Sequence, residues 1–258
     1  MKAVVLAAGK GTRMKSELPK VLHEVAGRSM VNWVLAALKG AGVDETTVVI
    51  GHGADAVVTQ LPPGATTAIQ AEQLGTAHAT KIGLAEMTLS ADDVVIVLPG
   101  DMPLIRSETL AALLSVHTTS GAVATLLSSI VDDPTGYGRI LRDDGGAVTG
   151  VVEHKDASGA QRAIQEVATG VYAFSAGVLR MRLEQVTNDN AQGEYYLPDV
   201  IGLLAAAGQP MAAVQADPYE GLGVNSHEQL AGIARLARSR INAHWMSEGV
   251  WMLDPDRV

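Results

Sequence analysis

Apolar positions along this chain fall alternately into short unbroken runs and into spaced stripes. Residues 3–8 are all apolar and end at Gly9, the pattern of a strand buried on both faces in a parallel sheet. Residues 30–38 are apolar at three- and four-residue spacings and stop short of Gly40 and Gly42, which predicts a helix, and residues 46–50 predict a second strand. Strand, helix and strand in that order form a βαβ unit, whose crossover is right-handed in nearly all proteins. The alternation continues with a strand at 66–69, a helix opening at Gly75-Thr76, the most apolar strand at 93–98, a helix at 106–117 and a strand at 122–127.

The pattern breaks at residues 132–140. A polar turn there leads into alternating residues, Gly145-Gly146 marks a hairpin tip, and 148–152 returns as a strand. A lobe over the open edge of the sheet is expected. Residues 187–197 are too polar for core and read as a loop, 198–207 as a helix and 211–214 as an edge strand. From Ser226, the residues Leu230, Ile233, Ala234, Ala237, Ile241 and Trp245 recur at helical steps with Arg235, Arg238 and Arg240 between them, predicting a long amphipathic helix. The fold class is α/β, with a domain over 1–225 and a linker helix over 226–258.

Composition narrows the function. The 258 residues, 47% hydrophobic, suffice for one large α/β domain or two small ones, and one domain with a lobe suits the pattern better. With 28 acidic and 19 basic residues the net charge is −9, which argues against a broad nucleic-acid or anionic-membrane surface, so phosphate ligands must be met by locally placed cations. The absence of cysteine excludes disulfides, thiolate nucleophiles and cysteine-zinc sites. The opening apolar run is too short for a signal peptide and no stretch reaches the length of a membrane span, so a cytoplasmic enzyme is expected.

The loop leaving the first strand supplies those cations. Gly9 and Gly11 allow a sharp bend that brings bare N–H groups to an anion, and Lys10, Arg13 and Lys20 follow closely. The spacing fits neither a Walker loop nor a dinucleotide fingerprint, which needs glycine where this chain has Met14. An ordinary strand-to-turn junction would account for the glycines, but not for Arg13 and the Pro19-Lys20 step. Gln70 and Gln73, delivered by the third strand, carry the paired donor and acceptor that a uracil edge requires, although a capping turn with solvated glutamines has the same spacing. Asp101, just past the strongest strand and preceded by Gly100, is placed to hold a divalent cation between phosphate oxygens, or to cap a turn. His52, between two glycines, reads as a turn residue with no chemical role.

The stretch Leu6-Ala7-Ala8-Gly9-Lys10-Gly11-Thr12-Arg13-Met14 with Leu18-Pro19-Lys20 resembles the signature of sugar-1-phosphate nucleotidylyltransferases. Five later stretches, at 70–79, 100–104, 133–140, 152–156 and 190–197, with Gly223-Val224-Asn225, are similar in order to the uridyltransferase half of the bifunctional bacterial N-acetylglucosamine-1-phosphate uridyltransferases. The resemblance spans nearly the whole chain. It implies a Rossmann-like nucleotidyltransferase fold: a mostly parallel sheet, a β-hairpin acceptor lobe and a long C-terminal helix. It further implies UTP and N-acetylglucosamine-1-phosphate as substrates and Mg2+ on Asp101 and Asn225. Arg13 and Lys20 would meet the growing phosphate charge, Leu6, Ala7, Ala8, Gly9, Gln70, Gly75 and Thr76 would hold the nucleotide, and Gly138 and Glu153 the sugar.

One departure stands out. The family usually carries asparagine where this chain has Ala168, so the amide that helps hold the N-acetylated sugar is missing. The family's second half is a β-helix of hexapeptide repeats with acetyltransferase activity. The chain shows no such repeats and stops near where that half would begin, so a truncated form or a stand-alone transferase is expected, monomeric without the β-helix. A nucleotidylyltransferase for another sugar or base, and a catalytically silent UTP-binding module, are the alternatives.

Overall fold

The computed structural model describes residues 1–258. A nine-stranded sheet runs through the molecule. Its parallel half comprises β1 (Lys2–Ala7), β4 (Glu45–Ile50), β5 (Thr66–Ile69) and β6 (Val94–Pro99), linked by α1 (Met30–Gly40), α2 (Ala54–Gln60) and α3 (Thr76–Ala85). The short pair β2 (Glu24–Val25) and β3 (Arg28–Ser29) forms a separate two-stranded ribbon before α1. The second half comprises α4 (Ser107–Ser120), β7 (Ala124–Ile130), the hairpin β8 (Gly138–Arg142) and β9 (Val148–Val152), the single turn α5 (Gly159–Arg162), and β10 (Glu166–Ser175). It is completed by α6 (Ala176–Leu183), α7 (Asp199–Ala206), β11 (Met211–Gln215) and α8 (His227–Ser247).

The strand order is β5-β4-β1-β6-β10-β7-β11, with β8 and β9 branching from β10. Pairing is parallel among β5, β4, β1 and β6 and between β7 and β11, while β10 runs antiparallel to both of its neighbours in the main sheet. The central strands alternate between two cores. Val4, Val95 and Val97 face the side covered by α3, α6 and α7, whereas Ala3, Val5, Ile96 and Leu98 face α1 and α4. Burial on both faces is why these strands read as unbroken apolar runs. A third, smaller core under α8 joins Ile233 and Ala237 to Met14, Met30, Leu104 and Val224, and so fastens the long helix to the loops around the first strand.

The predicted elements are present with small shifts at their ends; the strand expected at 122–127 runs Ala124–Ile130. The ribbon β2–β3, helices α2, α5 and α6, and β10 as a strand lie outside the expectation. In β10 the apolar run is interrupted by Thr169 and Gly170, and Gly170 has φ +84° at a bulge against β7. A bulge of this kind breaks the two-residue period by which a strand is recognised.

Candidate active site

The neighbouring strands β1 and β6 are where the chain order of the parallel sheet reverses, and the loops beyond their carboxyl ends part to form a cleft, the usual ligand position in such sheets. The cleft encloses about 510 Å³. Leu6, Ala7, Ala8, Gly9, Lys20, Gln70, Gly75, Thr76 and Asp101 all line it, so nine of the residues expected from the sequence meet in one place. Gly100 lies just behind them, its N–H donating to the Leu6 carbonyl at 2.9 Å and tying the two strand ends together.

Lys20 is held against the loop by Gly11, which has φ +59° and whose absent Cβ would lie 2.8 Å from the Cβ of Lys20. Its ammonium donates to the Asp101 carboxylate and, at 3.1 Å, to Asn225 Oδ1. Asn225, far away in sequence, is brought here because the Val224 N–H donates to the Asp101 carbonyl at 3.1 Å, while Gln229 Oε1 accepts from the Asn225 N–H at 2.7 Å. Asp101 is 9% exposed. The carboxylate and the amide oxygen therefore converge on one cation, the Lys20 ammonium. No group of three or more His, Cys, Asp or Glu that could hold a metal forms anywhere in the chain. Two hard oxygen donors fit a small divalent cation that keeps most of its waters.

At the other end of the cleft, Gln70 is buried and its Nε2 donates to the Gly75 carbonyl at 3.2 Å, which leaves the amide oxygen free to accept. Gly75 has φ +112°, and a Cβ there would fall 2.5 Å from the Tyr195 carbonyl oxygen. The Tyr195 N–H donates to the Leu74 carbonyl, the Ala77 N–H donates to the Tyr195 carbonyl, and the Leu197 N–H donates to Thr76 Oγ1. The loop at 187–197 thus docks by its backbone on the segment carrying Gln70 and Thr76, and it brings Glu194 into the lining.

Glu153 and Ala168 line a side pocket of about 110 Å³ that shares Leu6, Thr76 and Pro99 with the cleft. Gly138 packs against Glu153: a Cβ on it would lie 3.4 Å from the carboxylate. Burial, reinforced by Asp199 and Asp156, pushes the Glu153 carboxyl above the usual carboxylate range. Arg13 behaves differently from the rest. It is exposed on a single 3-10 turn, Thr12–Met14, and lies outside the lining of the cleft.

Several residues of the site escaped the sequence reading. Glu194 lies within the stretch 190–197 but was given no role of its own, and Tyr172 carries no local motif; both become neighbours of the site through long-range packing. Arg139 is 1% exposed and donates to the Tyr137 and Arg162 carbonyls, with its Nη2 3.2 Å from His154 Nδ1, so it pins the acceptor lobe from within. An arginine directly after the glycine of an alternating strand was the available signal.

A glycine-lined cleft at the switch point of a parallel sheet, with a lysine and paired oxygen donors at its mouth, defines a protein built to handle nucleoside triphosphates. The family model for the MobA-like NTP transferase domain matches residues 3–169, and the chain belongs to this family. It is also similar to the proteins named bifunctional protein GlmU of Limosilactobacillus reuteri (47% identity over 255 residues) and Heliobacterium modesticaldum (49% over 257). The same holds for that of Halalkalibacterium halodurans (49% over 258). These alignments take in 98–99% of this chain but 56% of each relative, so the chain spans little more than half the length of the curated relatives it matches.

Proposed function

We propose that this chain transfers UMP from UTP to N-acetylglucosamine-1-phosphate, releasing pyrophosphate and forming UDP-N-acetylglucosamine. The observation that carries the reading is the convergence of Lys20, Asp101 and Asn225 at the mouth of a cleft whose far end offers the buried Gln70 amide. The likeness to proteins named GlmU supports the choice of substrates.

The acceptor phosphate is already ionised at neutral pH, so no protein nucleophile is needed; one of its oxygens attacks the α-phosphorus in line and pyrophosphate leaves. Catalysis is then positioning and charge neutralisation. Backbone N–H groups from Leu6 to Gly9 hold the triphosphate, and the Gln70 amide oxygen accepts from N3–H of the base. Lys20 neutralises charge as it builds on the phosphates. Arg13, on its exposed turn, adds a second cation when the loop folds over the polyphosphate. Glu153 and the Gly138 backbone orient the sugar. Asp101 and Asn225 would hold Mg2+, which would supply neutralisation of the negative charge on the phosphates.

The test is pyrophosphate release from UTP and Mg2+ with N-acetylglucosamine-1-phosphate, beside glucosamine-1-phosphate and glucose-1-phosphate. Turnover that is greatest with the acetylated sugar supports the reading. Preference for another sugar rejects the acceptor, and silence with all three rejects the activity.

A further inference from the structure

We propose that in this chain the Tyr172 hydroxyl recognises the acyl oxygen of the acceptor's N-acetyl group, the polar contact that Ala168 cannot make. The inference rests on the acceptor reading above and assigns the residue that would confer its specificity.

Tyr172 forms part of the wall of the side pocket, beside Ala168 and opposite Leu197 and Pro198. It is 2% exposed, and its hydroxyl oxygen is buried without a hydrogen-bond partner. Buried hydroxyls are nearly always paired, because an orphaned one forfeits its water at no return. A ligand group bound in the adjoining side pocket would supply the missing partner.

The backbone explains how residues 168 and 172 come to share a wall. Ala168 of β10 pairs with Ser128 of β7, but the next matched pair is Tyr172 with Leu126, so four residues of one strand span two of the other. Gly170, at φ +84° and close against Pro99, takes up the excess. Residues four apart on a strand already share a face, and the two extra residues of the bulge shift the register against β7 while Ala168 and Tyr172 both line the side pocket.

The chemistry of the walls selects the ligand group. Leu6, Pro99, Leu197 and Pro198 are apolar, Glu153 offers a carboxyl group, and Tyr172 offers the one uncommitted phenolic donor. A largely apolar pocket of about 110 Å³ with hydroxyl donors from Tyr172 and Thr76 suits a methyl joined to a carbonyl, the shape of an acetamide. A bare amine would find no acceptor in the phenol's donor role and nothing for the apolar walls to cover.

The experiment compares wild type with Tyr172→Phe, measuring KM and kcat for N-acetylglucosamine-1-phosphate and glucosamine-1-phosphate, acceptor affinity by calorimetry, and melting temperature without ligand. Loss of the hydroxyl should raise KM for the acetylated acceptor about tenfold, with kcat, the KM for UTP and the behaviour of the amine retained. The ligand-free melting temperature should hold or rise, since phenylalanine removes an unpaired hydroxyl. Adding Ala168→Asn to the variant should restore much of the lost affinity. An unchanged KM, an equal loss for both acceptors, or a lower melting temperature would each overturn the inference while wild-type turnover leaves the acceptor reading standing. A wild type that neither turns over nor binds the acetylated sugar would overturn both.

Discussion

Removing the carboxylate of Asp101 has two separable consequences, one for stability and one for chemistry. The Lys20 and Asp101 side chains are 17% and 13% exposed, so the pair is mostly shielded from solvent. At hydrogen-bond contact and an effective dielectric of about 20, the attraction is on the order of 5 kcal/mol, most of it offset by the cost of desolvating both ions. Asp101→Asn leaves the ammonium facing only neutral amide oxygens with no counter-charge, and Lys20→Met leaves a mostly shielded carboxylate alone. Each should destabilise the ligand-free protein by about 2–3 kcal/mol. The double variant, with neither charge stranded, should fall short of the sum by about 1–2 kcal/mol. With a urea slope near 3 kcal/mol/M, each single change lowers the unfolding midpoint by about 0.7–1 M. Pyrophosphate release should collapse in all three variants, including the double one in which stability partly returns. Strict additivity, or single-variant midpoints within about 0.2 M of wild type, would refute the pairing. Retained turnover would remove these residues from catalysis.

Gly75→Ala places a Cβ 2.5 Å from the Tyr195 carbonyl at φ +112°, so it should lower the melting temperature and raise KM for UTP more than for the acceptor. For Glu153 the folded pKa lies above the unfolded one, so its contribution to stability is complete below the unfolded carboxylate pKa and is lost as pH rises through the folded value. Glu153→Gln should therefore be more stable than wild type above neutral pH, with the gain shrinking in acid, while the KM for the acceptor rises; a pH series of melting curves showing no gain at pH above neutral would refute the burial. Arg13→Ala should leave the ligand-free melting temperature unchanged, because the side chain is exposed, and cut kcat at least about tenfold through loss of one phosphate contact. Unchanged kcat would confine Arg13 to solvent.

The nucleotide half of the molecule was legible because local signals and tertiary positions coincide there. An apolar run followed by Gly9-Lys10-Gly11 is both the sequence mark of a buried parallel strand and the cause of the cleft, and the strand at 93–98 delivers Asp101 for the same reason. Asn225 could not have been placed by spacing alone; it reaches Asp101 through one backbone hydrogen bond from Val224 and a small core that no short window contains. The acceptor half was harder to read. Its central strand is broken by Thr169-Gly170, its lobe is held by the buried Arg139 that composition would put on the surface, and Tyr172 looks like an ordinary core aromatic until its hydroxyl is found without a partner.

These two kinds of legibility follow from the topology. In the parallel half every strand ends at the same edge, so each loop that leaves a strand arrives at the ligand and short motifs suffice. β10 runs the other way, and its contribution to the site comes from the middle of the strand, where Ala168 and Tyr172 share one face. Recognition of the nucleotide can therefore be carried by loop sequences, while recognition of the acceptor depends on strand residues that also belong to the core: Ala168 and Tyr172 are both part of the hydrophobic cluster beneath α7. A change of acceptor preference on this scaffold must be made through residues whose substitution also repacks the interior. That constraint is why the rescue of Tyr172→Phe by Ala168→Asn discriminates more sharply than either substitution alone.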